Sequence, residues 1–126
     1  MIIRKLYKIE NSHIVRNCST KFCSHSIHGH SDKVEVLFKA DKPDNGGMVL
    51  DFGLTKGTIK DFIDSFDHAM SLWNKESEEF LRDQTKYSDR WIKLPVSPSA
   101  ENYSAMFLFV IDKIVKNTQF NNGEGK

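Results

Sequence analysis

The chain has 126 residues, is 39% hydrophobic and 28% charged, and carries 18 Lys+Arg against 17 Asp+Glu for a formal charge of +1. That is one domain's worth of chain, which excludes a multidomain machine, and so weak a net field excludes recruitment to nucleic acid or an anionic membrane by charge. No apolar run nears the roughly 18 residues of a membrane span, and the opening Met1-Ile2-Ile3-Arg4-Lys5 lacks a signal peptide's apolar stretch, so a cytoplasmic protein is expected.

Residues 2 to 15 alternate loosely, with Ile3, Tyr7 and Ile9 on the parity of His13 and Arg4, Lys8, Glu10 and Ser12 on the other, which reads as a half-buried strand. Residues 16 to 27 are polar, Ser-rich and aperiodic, and read as loop. This loop carries Cys18 and Cys23, too few and too close for a disulfide framework, so both are expected as thiols. From His28 to Phe38 the alternation is cleaner, with His28, His30, Val34, Val36 and Phe38 on one face and Lys33, Glu35 and Lys39 on the other. Both strands point histidines the way their apolar residues point.

The turn formers Lys42-Pro43-Asp44-Asn45-Gly46-Gly47 close this strand, and Met48 to Phe52 can add a short one. Ile59, Phe62, Ile63 and Phe66 recur at helical spacing and predict a helix over about Thr55 to Phe66. A mixed stretch follows to Arg90, in which the charged run Lys75-Glu76-Ser77-Glu78-Glu79 reads as a solvated helix; residues 91 to 94 can form a further short strand. Ser99 then caps a helix whose stripe is Tyr103, Met106, Phe107, Val110, Ile111 and Ile114, and the tail from Asn117 to Lys126 is polar.

The economical arrangement is α+β, with two helices on one face of an antiparallel sheet. A lone hairpin has two open edges, so either the short strands or other subunits must extend it, and oligomerisation through sheet edges is expected.

Imidazole is the commonest neutral zinc ligand. His28 and His30, two apart on a strand, share a face that His13 reaches from the neighbouring strand. Three protein ligands with an open position is the pattern of a catalytic rather than a structural zinc. Asp67-His68 follows the first helix. The carboxylate can hold the imidazole ready as a general acid or base, or the histidine can simply satisfy terminal carbonyls. Cys23 acts as nucleophile or base only as thiolate and is otherwise a small buried hydrophobe, while His25 reads as an exposed residue or a minor ligand.

In order along the chain stand His13, Cys23, His28-Gly29-His30-Ser31, Gly47-Met48-Val49-Leu50-Asp51-Phe52, Phe66-Asp67-His68 and Pro98-Ser99-Ala100-Glu101-Asn102. This series resembles the 6-pyruvoyltetrahydropterin synthase and 6-carboxytetrahydropterin synthase family. The resemblance implies a tunnelling (T) fold over residues 1–126, an oligomeric barrel built from trimers and hexamers, and active sites at subunit interfaces. It also implies a Zn²⁺ held by His13, His28 and His30, with Cys23 catalytic, Asp67 and His68 relaying protons, and Glu101 at the pterin pocket. The implied substrate is a small-molecule pterin triphosphate, 7,8-dihydroneopterin triphosphate. The implied products are 6-carboxytetrahydropterin, acetaldehyde and triphosphate, on the path to 7-deazaguanine nucleosides such as queuosine. No nucleic acid or membrane partner is implied.

The chain departs from the family pattern in four places. The spacing of Cys23 to His28 falls between the family's short and long forms, Asp32 stands where an aromatic residue is usual, and Ser99 and Ala100 replace a threonine. The family's final strand, with its pterin-anchoring glutamate, has no counterpart before Lys126; Glu124 lies in a Gly-bearing tail and is a poor substitute. Asp32, of inward parity, is expected beside a ligand imidazole. The alternatives to the leading reading are a 6-pyruvoyltetrahydropterin synthase and a shortened, non-catalytic pterin-binding or structural relative.

Overall fold

A computed structural model of the chain describes residues 1–16, 18–41 and 52–121, the side chains of Cys23, Phe52 and 118–121 excepted. Strand β1 (Ile2–His13) pairs with β2 (His28–Lys39) along its full length, from Ile2 opposite Lys39 to His13 opposite His28. Between them lies a short helix, α1 (Lys21–Ser24), where the sequence predicts only loop. The alternation expected of both strands is borne out: Tyr7, Ile9 and Asn11 of β1 are buried, and Val34, Val36 and Phe38 of β2 pack against the same core.

The helix expected over 55–66 is two helices, α2 (Phe52–Lys56) and α3 (Thr58–Asp64), broken at Gly57. A Cβ on Gly57 would stand 2.9 Å from the Gly53 carbonyl oxygen, closer than side chains tolerate, so the chain can turn there only with glycine. The expected short strand over 48–52 falls on residues that, apart from Phe52 at the start of α2, lie outside the described ones.

After α3 come β3 (Ala69–Trp73), α4 (Glu78–Tyr87), β4 (Trp91–Leu94) and α5 (Ala100–Asn121). The sheet order is β2-β1-β3-β4, and here the antiparallel expectation is corrected, because β1–β3 and β3–β4 are both parallel and the sheet is mixed. The physical reason is connectivity: parallel neighbours need a crossover, and α4 supplies one between β3 and β4.

Ser77 caps α4, its hydroxyl accepting from the Phe80 N–H at 3.1 Å, with Glu78 and Glu79 in the first turn where the helix dipole favours them. Ser99 caps α5 as expected, accepting from the Asn102 N–H at 3.2 Å. α5 then runs to Asn121, beyond the point where the sequence turns polar.

The core lies on one face of the sheet, between β1 and β2 and the helices α3 and α5. Ile59 and Ile63 of α3 are fully buried, and Phe66, Phe62 and Phe107 meet edge to face at 4.9 to 5.6 Å. Removing one such buried aliphatic side chain costs on the order of 2–5 kcal/mol. This packing fixes α5 across the histidine end of the β1–β2 pair. Among the described residues no helix is long and apolar enough to cross a membrane.

Candidate metal centre

The β1–β2 register brings the three histidines together. His13 faces His28 directly, and His30 stands opposite Asn11, one diagonal step away. The imidazole centroids form a triangle with sides of 4.5, 4.9 and 5.1 Å. One ring nitrogen from each lies within 4.8 Å of the others. A tetrahedral zinc needs its ligand nitrogens roughly 3.3 Å apart, given bond lengths of about 2.0–2.1 Å, so modest side-chain rotations close the site.

Hydrogen bonds decide which nitrogen each ring presents. Nδ1 of His13 lies 2.6 Å from the Pro98 carbonyl and Nδ1 of His28 lies 2.9 Å from the Ser26 carbonyl. A carbonyl can only accept, so both Nδ1 atoms carry a proton, and in the neutral form of each ring the lone pair lies on Nε2. His13 Nε2 is buried with no hydrogen-bond partner. Burial pushes the His13 imidazole below its usual pKa; the Pro98 bond opposes this, and His28 and His30 reinforce it. A neutral ring with an orphaned lone pair, beside two more imidazoles, offers a cation converging nitrogen donors.

The ring of Tyr103 lies nearly parallel to that of His13, centroids 6.2 Å apart, and its hydroxyl donates to Asn11 Oδ1 at 2.8 Å. Burial raises the Tyr103 pKa to about 12, so it remains a donor. Asp32 is half-buried with Tyr103 at one end of a groove of about 380 Å³ between β2 and α5, walled by Val34, Val36, Phe107 and Ile111. Its charge acts on His13 and Tyr103 through space, while among the described residues no hydrogen bond joins it to a histidine ring, so the expected partnership is not made.

Asp67 and His68 lie elsewhere. Asp67 Oδ1 accepts from the Glu10 N–H at 2.7 Å, which holds its carboxyl below the usual range, and Oδ2 lies 3.2 Å from His68 Nδ1. His68, with an exposed ring and a left-handed φ of 55°, lines a second groove of about 450 Å³ together with Glu10, Ser12, Ser31, Met70 and Arg90. Glu10, Ser12 and Ser31 have the opposite parity to His13, so the dyad opens mainly on the other face of the sheet, with His30, whose ring joins the cluster, also bordering this groove. Arg90 donates to the carbonyls of Asp64, Ser65 and Asp67 at the end of α3, which supplies the capping that His68 was offered for.

Cys23 lies in α1, and its side chain is outside the described residues. The backbone beside it is anchored by Arg16, which donates to the Ser24 carbonyl at 3.3 Å and grips Glu76 with two bonds of 2.8 and 3.0 Å, its guanidinium 5.1 Å from the Phe80 ring. Glu76, its side chain 5% exposed, corrects the reading of the 75–79 run as wholly solvated. Cys18 Sγ lies 3.7 Å from Thr20 Oγ1, and His25 is exposed and bonded to Ser24 Oγ at 2.8 Å, apart from the cluster. Glu101 is exposed in the first turn of α5 and lines neither groove, and Glu124 lies outside the described residues.

No local pattern in the sequence singles out Asn11, the pairing of Arg16 with Glu76 or the stacking of Tyr103 on His13. Asn11 offers only a polar side chain of inward parity between Ile9 and His13.

A family model described as 6-pyruvoyl tetrahydropterin synthase matches residues 2–122. Proteins from two strains of Helicobacter pylori, both named 6-carboxy-5,6,7,8-tetrahydropterin synthase, are 47% and 45% identical over all 126 residues; the chain spans 63% of their length. A Rickettsia felis protein of the same name is 35% identical over 77 residues, 60% of this chain and 56% of its own. Among solved structures, an uncharacterized protein from Wolinella succinogenes superposes with a TM-score of 0.69 at 19% identity, covering 88% of this chain and 82% of its own. The 6-pyruvoyltetrahydropterin synthase of Plasmodium vivax does so with a TM-score of 0.65 at 16% identity, covering 97% and 85%.

Proposed function

Because the chain belongs to the 6-pyruvoyl tetrahydropterin synthase family, we propose that it is a zinc-dependent 6-carboxy-5,6,7,8-tetrahydropterin synthase. With the uptake of one water it converts 7,8-dihydroneopterin triphosphate to 6-carboxytetrahydropterin, acetaldehyde and triphosphate, in the cytoplasm, on the path to 7-deazaguanine nucleosides. The observation that carries the reading is the convergence of His13, His28 and His30 with the Nε2 of His13 buried and unpartnered.

His13, His28 and His30 hold the metal, which when bound supplies a Lewis acid that acidifies substrate hydroxyls and steadies negative charge on them. The Pro98 and Ser26 carbonyls keep two of the rings in the ligating tautomer. Cys23, as thiolate, accepts a proton from a side-chain carbon of the substrate. Asp67 orients His68 through Nδ1, leaving Nε2 to exchange protons in the groove on the far face. Glu101 offers a carboxylate to the amide and amino edge of the pterin.

Within one chain the dyad and the histidine cluster open on opposite faces, so on this reading each active site joins the cluster of one copy to the dyad of another. Among the described residues strands β2 and β4 end the sheet of the single chain, and pairing of such edges closes the sheets of several copies into a trimeric or hexameric barrel.

The test is incubation of the zinc-loaded chain with 7,8-dihydroneopterin triphosphate. Equimolar acetaldehyde and triphosphate support the proposal. Triphosphate without acetaldehyde makes the chain a 6-pyruvoyltetrahydropterin synthase, and no turnover makes it a non-catalytic relative.

A further inference from the structure

Asn11 is 6% exposed, and every hydrogen-bonding position of its amide is used. Nδ2 donates to the Phe66 carbonyl and to the Ala69 carbonyl, both at 2.9 Å, while Oδ1 accepts from Ser71 Oγ at 3.0 Å and from the Tyr103 hydroxyl at 2.8 Å. Phe66 and Ala69 are the residues immediately flanking Asp67-His68. One amide therefore clamps the dipeptide at both ends.

The preceding residue completes the clamp, since the Glu10 N–H donates to Asp67 Oδ1 at 2.7 Å and the Glu10 carbonyl accepts from the His68 N–H at 2.6 Å. This matters because His68 sits at φ 55°, a backbone conformation that is strained for a non-glycine residue and persists only where its surroundings enforce it. Glu10 contributes only its backbone, which any residue provides. The side chain of Asn11 is the part of the clamp that depends on residue identity, because two donors on one planar nitrogen are needed to span two carbonyls.

We propose that Asn11 is the positioning residue of the Asp67–His68 dyad. It holds the dipeptide in the left-handed turn that presents the imidazole to the far groove, and through Tyr103 it fastens that turn to the helix lying over His13. The inference rests on reading the dyad as a proton relay only for its kinetic consequence; the clamp itself is tested without catalysis.

The experiment compares the zinc-loaded wild type with Asn11→Asp and Ser71→Ala. Asn11→Asp keeps the shape but sets a carboxylate against two carbonyls, whereas Ser71→Ala removes one bond to Oδ1 and leaves both Nδ2 bonds. Hydrogen exchange at the His68 amide, followed by NMR, is expected to quicken by roughly tenfold or more in Asn11→Asp and to stay unchanged in Ser71→Ala. In the same Asn11→Asp protein, kcat should fall by about 10- to 100-fold with KM little altered. The solvent deuterium isotope effect should rise, which loss of folded enzyme alone would not produce.

If Asn11→Asp does not fold, Asn11→Ser, which retains one donor and cannot span both carbonyls, gives the same readouts. Unchanged His68 exchange in a folded Asn11 variant overturns the inference. A loosened His68 in a chain that never turns over the pterin substrate upholds the clamp and overturns the catalytic reading instead.

Discussion

His13 donates through Nδ1 to the carbonyl of Pro98 at 2.6 Å, and that bond, formed across 85 positions of sequence, leaves Nε2 as a buried lone pair without a partner. A buried polar atom left unsatisfied costs about 1–3 kcal/mol, a penalty that coordination removes. With that relief included in its affinity, a metal that binds only the native state stabilises it by about 2.7 kcal/mol in all when its free concentration is 100 times the dissociation constant. Calorimetric melting should show the midpoint rising with zinc and falling with chelator. A midpoint indifferent to both would mean that the cluster holds no metal.

The two thiols should separate cleanly. Cys23→Ala is expected to retain zinc and fold yet lose turnover by roughly 10²- to 10⁴-fold, the usual contribution of a positioned proton-transfer group. Cys18→Ala should be nearly silent, because Cys18 is not one of the converging candidate ligands, which are His13, His28 and His30. Initial rates of the two metallated variants check this, and the reverse ranking would assign the role to the other thiol.

The opposite placement of the cluster and the dyad on the sheet predicts complementation. His28→Ala and His68→Ala should each be inactive alone. Mixed, dissociated and reassembled together, they should regain a substantial fraction of wild-type activity, because some sites then receive an intact cluster from one copy and an intact dyad from another. No recovery in a mixture shown by sedimentation to have reassembled would place the whole site within one chain.

Tyr103 gives the fold an alkaline limit. Its folded pKa is raised to about 12 from an ordinary 10.0, burial being the main cause, so below pH 10 both folded and unfolded chains keep the proton and the contribution to stability is complete. As pH rises from 10 toward 12 the unfolded chain ionises first, and up to roughly 2–3 kcal/mol of stability is lost. Denaturant unfolding across that window should show the loss in the wild type and a smaller one in Tyr103→Phe. Equal slopes would show that Tyr103 is not what limits the fold there.

Much of the site was legible in the sequence because strand parity is a local property. His13, His28 and His30 were assigned to one face from alternation alone, and the β1–β2 register puts them there. What escaped was set by partners distant in the chain. Ala69–Trp73 is an interior strand whose run shows no clean alternation, since Leu72 is buried on the face opposite Ala69 and Ser71. Glu76 looked solvated within a charged run because Arg16, which buries it, lies 60 positions away. The dyad was legible as a motif, but its placement on the far face follows from β3 lying parallel to β1, a matter of sheet order that no local pattern carries.

Metal content in the three histidine variants tests the central claim most directly. The purified wild type should carry one zinc per chain, and His13→Ala, His28→Ala and His30→Ala should each lose most of it while keeping the wild-type far-ultraviolet circular dichroism. Full zinc in all three folded variants would contradict the assignment of the cluster as the metal centre, and with it the chemistry built upon it.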